Sequence, residues 1–142
     1  MKITICASAK FAKRMIETKK ILERKGHEVL LPEMAESFAA GKINLDNFKG
    51  GRTDANFKKK HDLVRKHFEE VAKGDAILVL NYDRDESNKN YIGGNTFAEM
   101  AIAFYLNKPI YLLNSVPEYV SYTEEIKSMD PIILNGDLSK IQ

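Results

Sequence analysis

Short β-rich runs alternate along the chain with longer stretches of helical periodicity. "KITIC" at the start reads as a strand. Phe11, Met15 and Leu22 then recur at helical spacing, with Lys13, Arg14, Lys19 and Lys20 on the wet side. Gly26 marks the C-terminal stop of that helix, and "HEVLLP" reads as a second strand. Strand, helix and strand within about thirty residues make one βαβ unit. From Glu33 to about Thr53 the periodicity is weak, and "AAGKINLDNFKGGRTD" mixes adjacent glycines with both polarities. A patternless segment of this length predicts a functional loop, a lid or an assembly arm. Helical spacing returns in "ANFKKKHDLVRKHFEEVAKGD", where Leu63, Val64, Phe68, Val71 and Ala72 form an apolar stripe ending near Gly74. "AILVLNY" is almost continuously apolar, the pattern of a strand in the middle of a parallel sheet. A polar loop from Asp83 to Gly94 leads into an apolar helix. "PIYLLN" then reads as a fourth strand and "PIILN" as a fifth, followed by a short helix from Asp137 to Ile141.

This alternation predicts an α/β fold: a three-layer sandwich around a five-stranded parallel sheet, in the flavodoxin-like order 2-1-3-4-5. One domain spanning residues 1–142 is expected. Ligands of such sheets sit beyond the strand C-termini where the strand order reverses, here between the first and third strands. That rule selects three loops: Ala7 to Lys10, Asn81 to Thr96, and the region after Leu113. No internal repeat or low-complexity tract interrupts the pattern.

Charge narrows the range of partners. Lysine and arginine number 22 against 20 acidic residues, and a net +2 does not suit a nucleic-acid partner. Lys58-Lys59-Lys60 and Lys19-Lys20 read as solvated helix faces. The single cysteine, Cys6, has no partner for an internal disulfide and lies among Ile3, Ile5 and Ala7 in a buried strand, so a reduced, cytoplasmic setting is expected. The chain opens directly on that strand, without a basic leader segment. No apolar run approaches the roughly 20 residues of a membrane span, which predicts a soluble protein with no membrane partner.

Several chemistries lack their motifs. "CASAKF" follows the first strand where a dinucleotide site would need G-x-G-x-x-G, and no G-x-x-x-x-G-K-[ST] occurs. His27, His61 and His67 are not at metal-ligand spacing, so neither a metal nor an organic cofactor is expected. A G-x-S-x-G elbow is missing too.

What remains is "GGNTFAE". Gly93 and Gly94 allow a tight turn and close approach to a ligand. The helix start behind them offers free N–H groups, with Asn95 and Thr96 adding polar side chains, a setting suited to a phosphate or a sugar hydroxyl. Glu99 has two readings. Thr96-Phe97-Ala98-Glu99 matches a capping box, with Glu99 in the first turn. On a helix, however, Glu99 neighbours the apolar Ile102, Ala103 and Leu106, and no basic residue lies within a turn of it. A partly dry carboxylate of that kind marks a functional-site candidate. Ser8 and Lys10 either cap a helix and point to water, or bind phosphate in the same crevice. Asp83 and Asp85, past the third strand, sit where a substrate would be oriented, and also where a polar loop is expected. Tyr91 either stacks on a base or packs on the loop. The helix of Glu99 is apolar nearly all round, which predicts that its outer face meets another subunit in a homodimer or larger homo-oligomer.

"GDAILVLNYD", a polar loop, and "GGNTFAEMAIAFYLNKPIYLL" together resemble the nucleoside 2-deoxyribosyltransferase superfamily, which includes the deoxynucleoside monophosphate N-glycosidases. The match runs from about Gly74 to Leu113, with weaker support from "ITICASAK". By this resemblance Glu99 falls on the catalytic nucleophile. It would attack the anomeric carbon, release the base and form a ribosyl ester that a second base or water resolves. The substrate implied is a small-molecule nucleoside or nucleotide, with no cofactor. The pattern also departs from the family. Gly93 stands where transferases carry a base-contacting Asp, six residues before the nucleophile. A further family acid falls on His67, or on Glu69 with a shift of two, and the insertion "DRDESNKNYI" is longer than usual. The chain looks like a branch of its own, with "NYIGGNTFAEM" as signature. The resulting expectation has Glu99 as nucleophile, assisted by Asp83 and His67. Ser8, Lys10, Tyr91, Gly93, Gly94, Asn95 and Thr96 would hold the substrate. Two rivals stay open: a non-catalytic nucleotide-binding or sensing domain using the same crevice, and a flavodoxin-type electron carrier. Against the carrier, the first loop lacks a hydroxyl-rich phosphate cradle.

Overall fold

In the computed structural model, which describes residues 1–42 and 55–142 (side chains from 59 onward in the second stretch), five parallel strands form one sheet. They are β1 (Lys2–Cys6), β2 (Glu28–Leu30), β3 (Ala76–Val79), β4 (Ile110–Leu112) and β5 (Ile132–Ile133), in the order β2-β1-β3-β4-β5. Ile3 of β1 pairs with Val29 on one side and Ala76 on the other, and Leu78 of β3 pairs with Tyr111 of β4. Both the parallel direction and the strand order are those expected from the alternating pattern.

Side-chain alternation along the strands divides the core in two. Ile3, Ile5, Leu78 and Leu80 pack with Met15 and Leu22 of α1 (Ala12–Arg24) on one face. Cys6, Ile77, Val79 and Leu112 pack on the other with Val71 of α3 (Ala55–Lys73), Met100 of α4 (Gly94–Tyr105) and Ile126 of α5 (Thr123–Ser128). The middle strand β3 is wholly buried, as its unbroken apolar sequence requires. The left-handed Gly26 (φ +94°) turns the chain out of α1, and its N–H donates to the Glu23 carbonyl at 3.0 Å.

Four details differ from the sequence pattern. The weakly periodic segment contains a helix, α2 (Ala35–Ala39), while residues 43–53 of the expected loop, lid or arm lie outside the described residues. In α3, Ala72 is exposed, Leu63, Val64 and Phe68 are only half-buried, and His67 takes a fully inward position. A short helix, α5, follows the region after Leu113. The expected C-terminal helix is a single 3-10 turn, Leu138–Lys140, capped by Asp137, whose Oδ1 accepts from the Ser139 N–H at 3.0 Å. Among the described residues no helix is long and apolar enough to cross a membrane.

Candidate active site

The strand order reverses between β1 and β3, and a cavity of about 500 Å³ opens beyond their C-terminal ends. That volume suits a small-molecule site. Its walls come from the loop after β1 (Ser8, Lys10), the loop after β3 (Arg84, Tyr91), the start of α4 (Asn95, Glu99) and the inner face of α3 (Lys60, His67); Glu33 and α2 close it from the β2 side.

A clasp joins the chain after β3 to the chain after β4. Asn81, fully buried at the end of β3, donates through Nδ2 to the carbonyls of Asn114 and Ser115, both at 2.9 Å, and accepts from the Asn114 N–H at 2.8 Å. The loop above is closed by Tyr91 N–H donating to the Tyr82 carbonyl at 2.9 Å, and by the Tyr122 hydroxyl donating to the Ile92 carbonyl.

Glu99 is not a cap. Helix α4 begins at Gly94, three residues before the capping box places it, with the extended Gly93 as a cap that lends no side chain. The first helical bond runs from the Phe97 N–H to the Gly93 carbonyl at 2.9 Å. Thr96 is thus inside the helix and buried, and Glu99 is its sixth residue, past the first turn. The capping box is therefore overturned: local spacing matched it, but the helix start did not. Instead the Glu99 carboxylate, 5% exposed, faces the cavity and is bonded through Oε2 to Nδ1 of the buried His67. The other ring nitrogen of His67 lies 3.2 Å from the Ile5 carbonyl of β1.

This arrangement sets the charge state of the pair. The Ile5 carbonyl can only accept, so Nε2 carries a proton, and a second proton on Nδ1 makes the ring an imidazolium facing the Glu99 carboxylate. Burial works against that charge, but the hydrogen bond and charge of Glu99, helped by Glu70 and the Ile5 carbonyl, hold the His67 pKa above its ordinary value. Behind the pair, burial pushes the Cys6 thiol well up, with the negative charges of Glu99 and Glu70 adding to it, so Cys6 is protonated. Burial also raises the Glu70 carboxyl, and its Oε2 is enclosed without a hydrogen-bond partner.

Of the residues selected from sequence, Ser8, Lys10, His67, Tyr91, Asn95 and Glu99 converge on the cavity. Ser8 Oγ also accepts from the Lys10 N–H at 3.4 Å, and Lys10 Nζ donates to the Arg84 carbonyl at 3.0 Å. Gly93, Gly94, Thr96 and Asp83 are not among its lining. Gly93 matters through its neighbour: a Cβ there would sit 2.8 Å from the Tyr91 hydroxyl, so the missing side chain lets Tyr91 take its place in the wall. Asp83 braces the loop instead, accepting from the Asn90 N–H at 2.9 Å and from Lys89 Nζ at 3.3 Å.

Sequence reasoning passed over Arg84, Lys60 and Cys6. Arg84 lay within the loop selected by the strand-order rule, and its guanidinium stands over the Tyr91 ring at 5.1 Å. Cys6 is the last residue of β1, immediately before the first selected loop. One ligand atom each from Cys6, His67 and Glu99 lie within 4.8 Å of one another, although the residues are far apart in sequence.

No protein-family model and no curated protein sequence matches the chain. Solved structures do match, among them the following two. A 2-deoxyribosyltransferase from the psychrotolerant bacterium Bacillus psychrosaccharolyticus superposes with a TM-score of 0.53 at 16% identity, covering 80% of this chain and 72% of that one. A CMP N-glycosidase from Clostridium botulinum gives a TM-score of 0.50 at 16% identity, covering 94% and 84%. The chain shares its fold with a deoxyribosyltransferase and a nucleotide N-glycosidase, the two kinds of protein that the stretch from Gly74 to Leu113 resembles.

Proposed function

We propose that this protein cleaves or exchanges the N-glycosidic bond of a nucleoside or nucleoside monophosphate through a covalent glutamyl-ribosyl intermediate. The observation that carries this reading is Glu99: a carboxylate in the wall of a small-molecule cavity, free of any capping duty and oriented by a buried histidine. An oxygen of Glu99 attacks the anomeric carbon as the C–N bond breaks and its electron pair leaves with the base. Water or a second base then attacks from the vacated face and restores the free carboxylate. His67 lies on the nucleophile's side of the sugar, so its part is to hold the Glu99 carboxylate aimed; the proton for the departing base comes from the opposite side. Fold similarity to enzymes of both outcomes agrees with this reaction class.

Charge in the cavity favours a phosphorylated substrate. Lys10, Lys60 and Arg84 line it together, while of the two carboxylates that line it among the described residues Glu99 faces His67 and Glu33 is paired with Lys66 at 3.1 Å. Ser8 and Asn95 are placed for sugar or phosphate oxygens, and Tyr91 for a base.

The engagement of Glu99 by His67 also suits a second reading, a nucleotide-binding domain in which the pair is a fixed structural feature. One experiment separates the two. Wild type and Glu99→Gln are incubated with deoxynucleosides, ribonucleosides and their monophosphates, and free base is followed by chromatography. The enzyme reading expects base release by wild type and a loss of at least about 10³-fold in the variant. If neither releases base while a nucleotide raises the melting temperature of both, the binding reading stands.

A further inference from the structure

Cys6, His67 and Glu99 come from β1, α3 and α4 and meet behind the cavity wall. All three are buried, with Cys6 at 0%, His67 at 7% and Glu99 at 5% exposure. Among the described residues they form the one group of three whose ligand atoms approach each other closely enough to share an ion. We propose that these three side chains bind one Zn2+ ion, whose fourth position opens to the cavity, and that the ion and the glycosidic chemistry compete for Glu99.

Geometry, ligand type and charge each support the site. A tetrahedral zinc with bonds of about 2.0–2.3 Å holds its ligand atoms roughly 3.3–3.8 Å apart. The observed spread, within 4.8 Å, needs only a small inward shift of the thiol and a parting of His67 from Glu99. The Ile5 carbonyl at 3.2 Å from Nε2 supplies the outer partner that metal-bound histidines use, and it leaves Nδ1 as the ligand. A thiolate, an imidazole and a carboxylate suit Zn2+ or Co2+ and are a poor set for Mg2+ or Ca2+, which want oxygen alone.

Charge suits the site as well. With Zn2+ bound, a Cys6 thiolate and the Glu99 carboxylate cancel the dication and His67 is neutral, the displaced protons leaving for solvent, so the filled cluster holds no uncompensated charge. The route runs through the cavity, which His67 and Glu99 line while Cys6 stands behind them. With the ion bound, the Glu99 carboxylate is coordinated and its charge is drawn to the dication, which weakens it as a nucleophile toward a sugar. Only this last consequence rests on the proposed glycosidic reaction.

Cobalt serves as the probe. The full chain, stripped with a chelator, is titrated with Co2+. A near-ultraviolet thiolate-to-cobalt band and the visible bands of a four-coordinate ion are expected, saturating at one ion per chain and bleached by Zn2+. Cys6→Ser removes the near-ultraviolet band, and either Cys6→Ser or Glu99→Gln weakens binding at least about 100-fold. Glu99→Gln, which keeps the thiolate, retains that band at higher cobalt and stands in if Cys6→Ser does not fold. Absence of the thiolate band from wild type, or its survival in folded Cys6→Ser, overturns the site. Zn2+ inhibition of base release at the concentration that fills the site checks the consequence for Glu99. Should the metal-free protein release no base at all, the glycosidic reading falls while the cobalt spectrum still decides the metal site.

Discussion

At the scale of single residues, the decisive contact joins Glu99 to His67. The chain offers Glu99 no cation within a helical turn, yet the fold delivers one from 32 positions away. The pair makes folding depend on pH. The folded pKa of His67 is raised above its unfolded value near 6.5, so the pair stabilises the folded state fully below that unfolded value. The contribution declines as pH rises through the folded pKa, where the ring loses the proton it shares with Glu99. In chelator-treated protein, the melting temperature of wild type should exceed that of His67→Gln most near pH 5.5–6, and the gap should narrow on going to alkaline pH. A gap that is constant over this range, measured by thermal denaturation in matched buffers, would show that the ring is not the cation described above. Glu99 itself was legible because an acid in an apolar helix contrasts with its neighbours. His67 was visible only by position in the resemblance, since its burial depends on which face of α3 meets α4. Cys6 as a neighbour of Glu99 was not visible at all: no local pattern relates positions 6, 67 and 99.

At the scale of elements, the site depends on how firmly the strand ends are joined. Asn81 ties β3 to the chain after β4 with three hydrogen bonds made by its fully buried side chain. Asn81→Ala leaves the Asn114 N–H and two carbonyls without that partner, at a cost of about 2–4 kcal/mol. Urea unfolding should show it as a lower midpoint with the slope unchanged. An unchanged midpoint would mean the clasp is dispensable. The strands and α1 were readable because their periodicity is strong and their ends carry clear signals, Gly26 above all. Helices α2 and α5, at five and six residues, complete too few turns for a periodic stripe to emerge. The start of α4 was misplaced for a different reason. Thr96 and Glu99 have capping-box spacing, but Gly93 and Gly94 take the extended-to-helical transition ahead of them, so the hydroxyl goes inward instead of to the helix end. Spacing alone cannot distinguish a Thr at the cap from one a turn inside it.

At the scale of the whole molecule, α4 has three different duties on three faces. Met100 and Ala103 pack into the core, and Glu99 faces the cavity. The remaining side presents Ala101, Phe104 and Tyr105 to solvent, with Leu106 just beyond, and Phe104 and Tyr105 are 52% and 82% exposed. An aromatic cluster of this kind at one helix end is costly to leave wet and is the type of surface that interfaces use. Ile132 of the short edge strand β5 is also exposed, at 46%. We expect a second copy of the chain to cover the end of α4, giving a homodimer in sedimentation velocity at micromolar concentration. Phe104→Lys combined with Tyr105→Lys should shift it to monomer, because two cations facing their symmetry mates add repulsion to the lost apolar contact. Met100 and Ala103 already hold α4 against the sheet within one chain, so the monomeric variant should keep both its fold and its base release. A wild type that sediments as a monomer throughout would sink the interface, and a dissociated variant without activity would show that α4 needs its partner to aim Glu99.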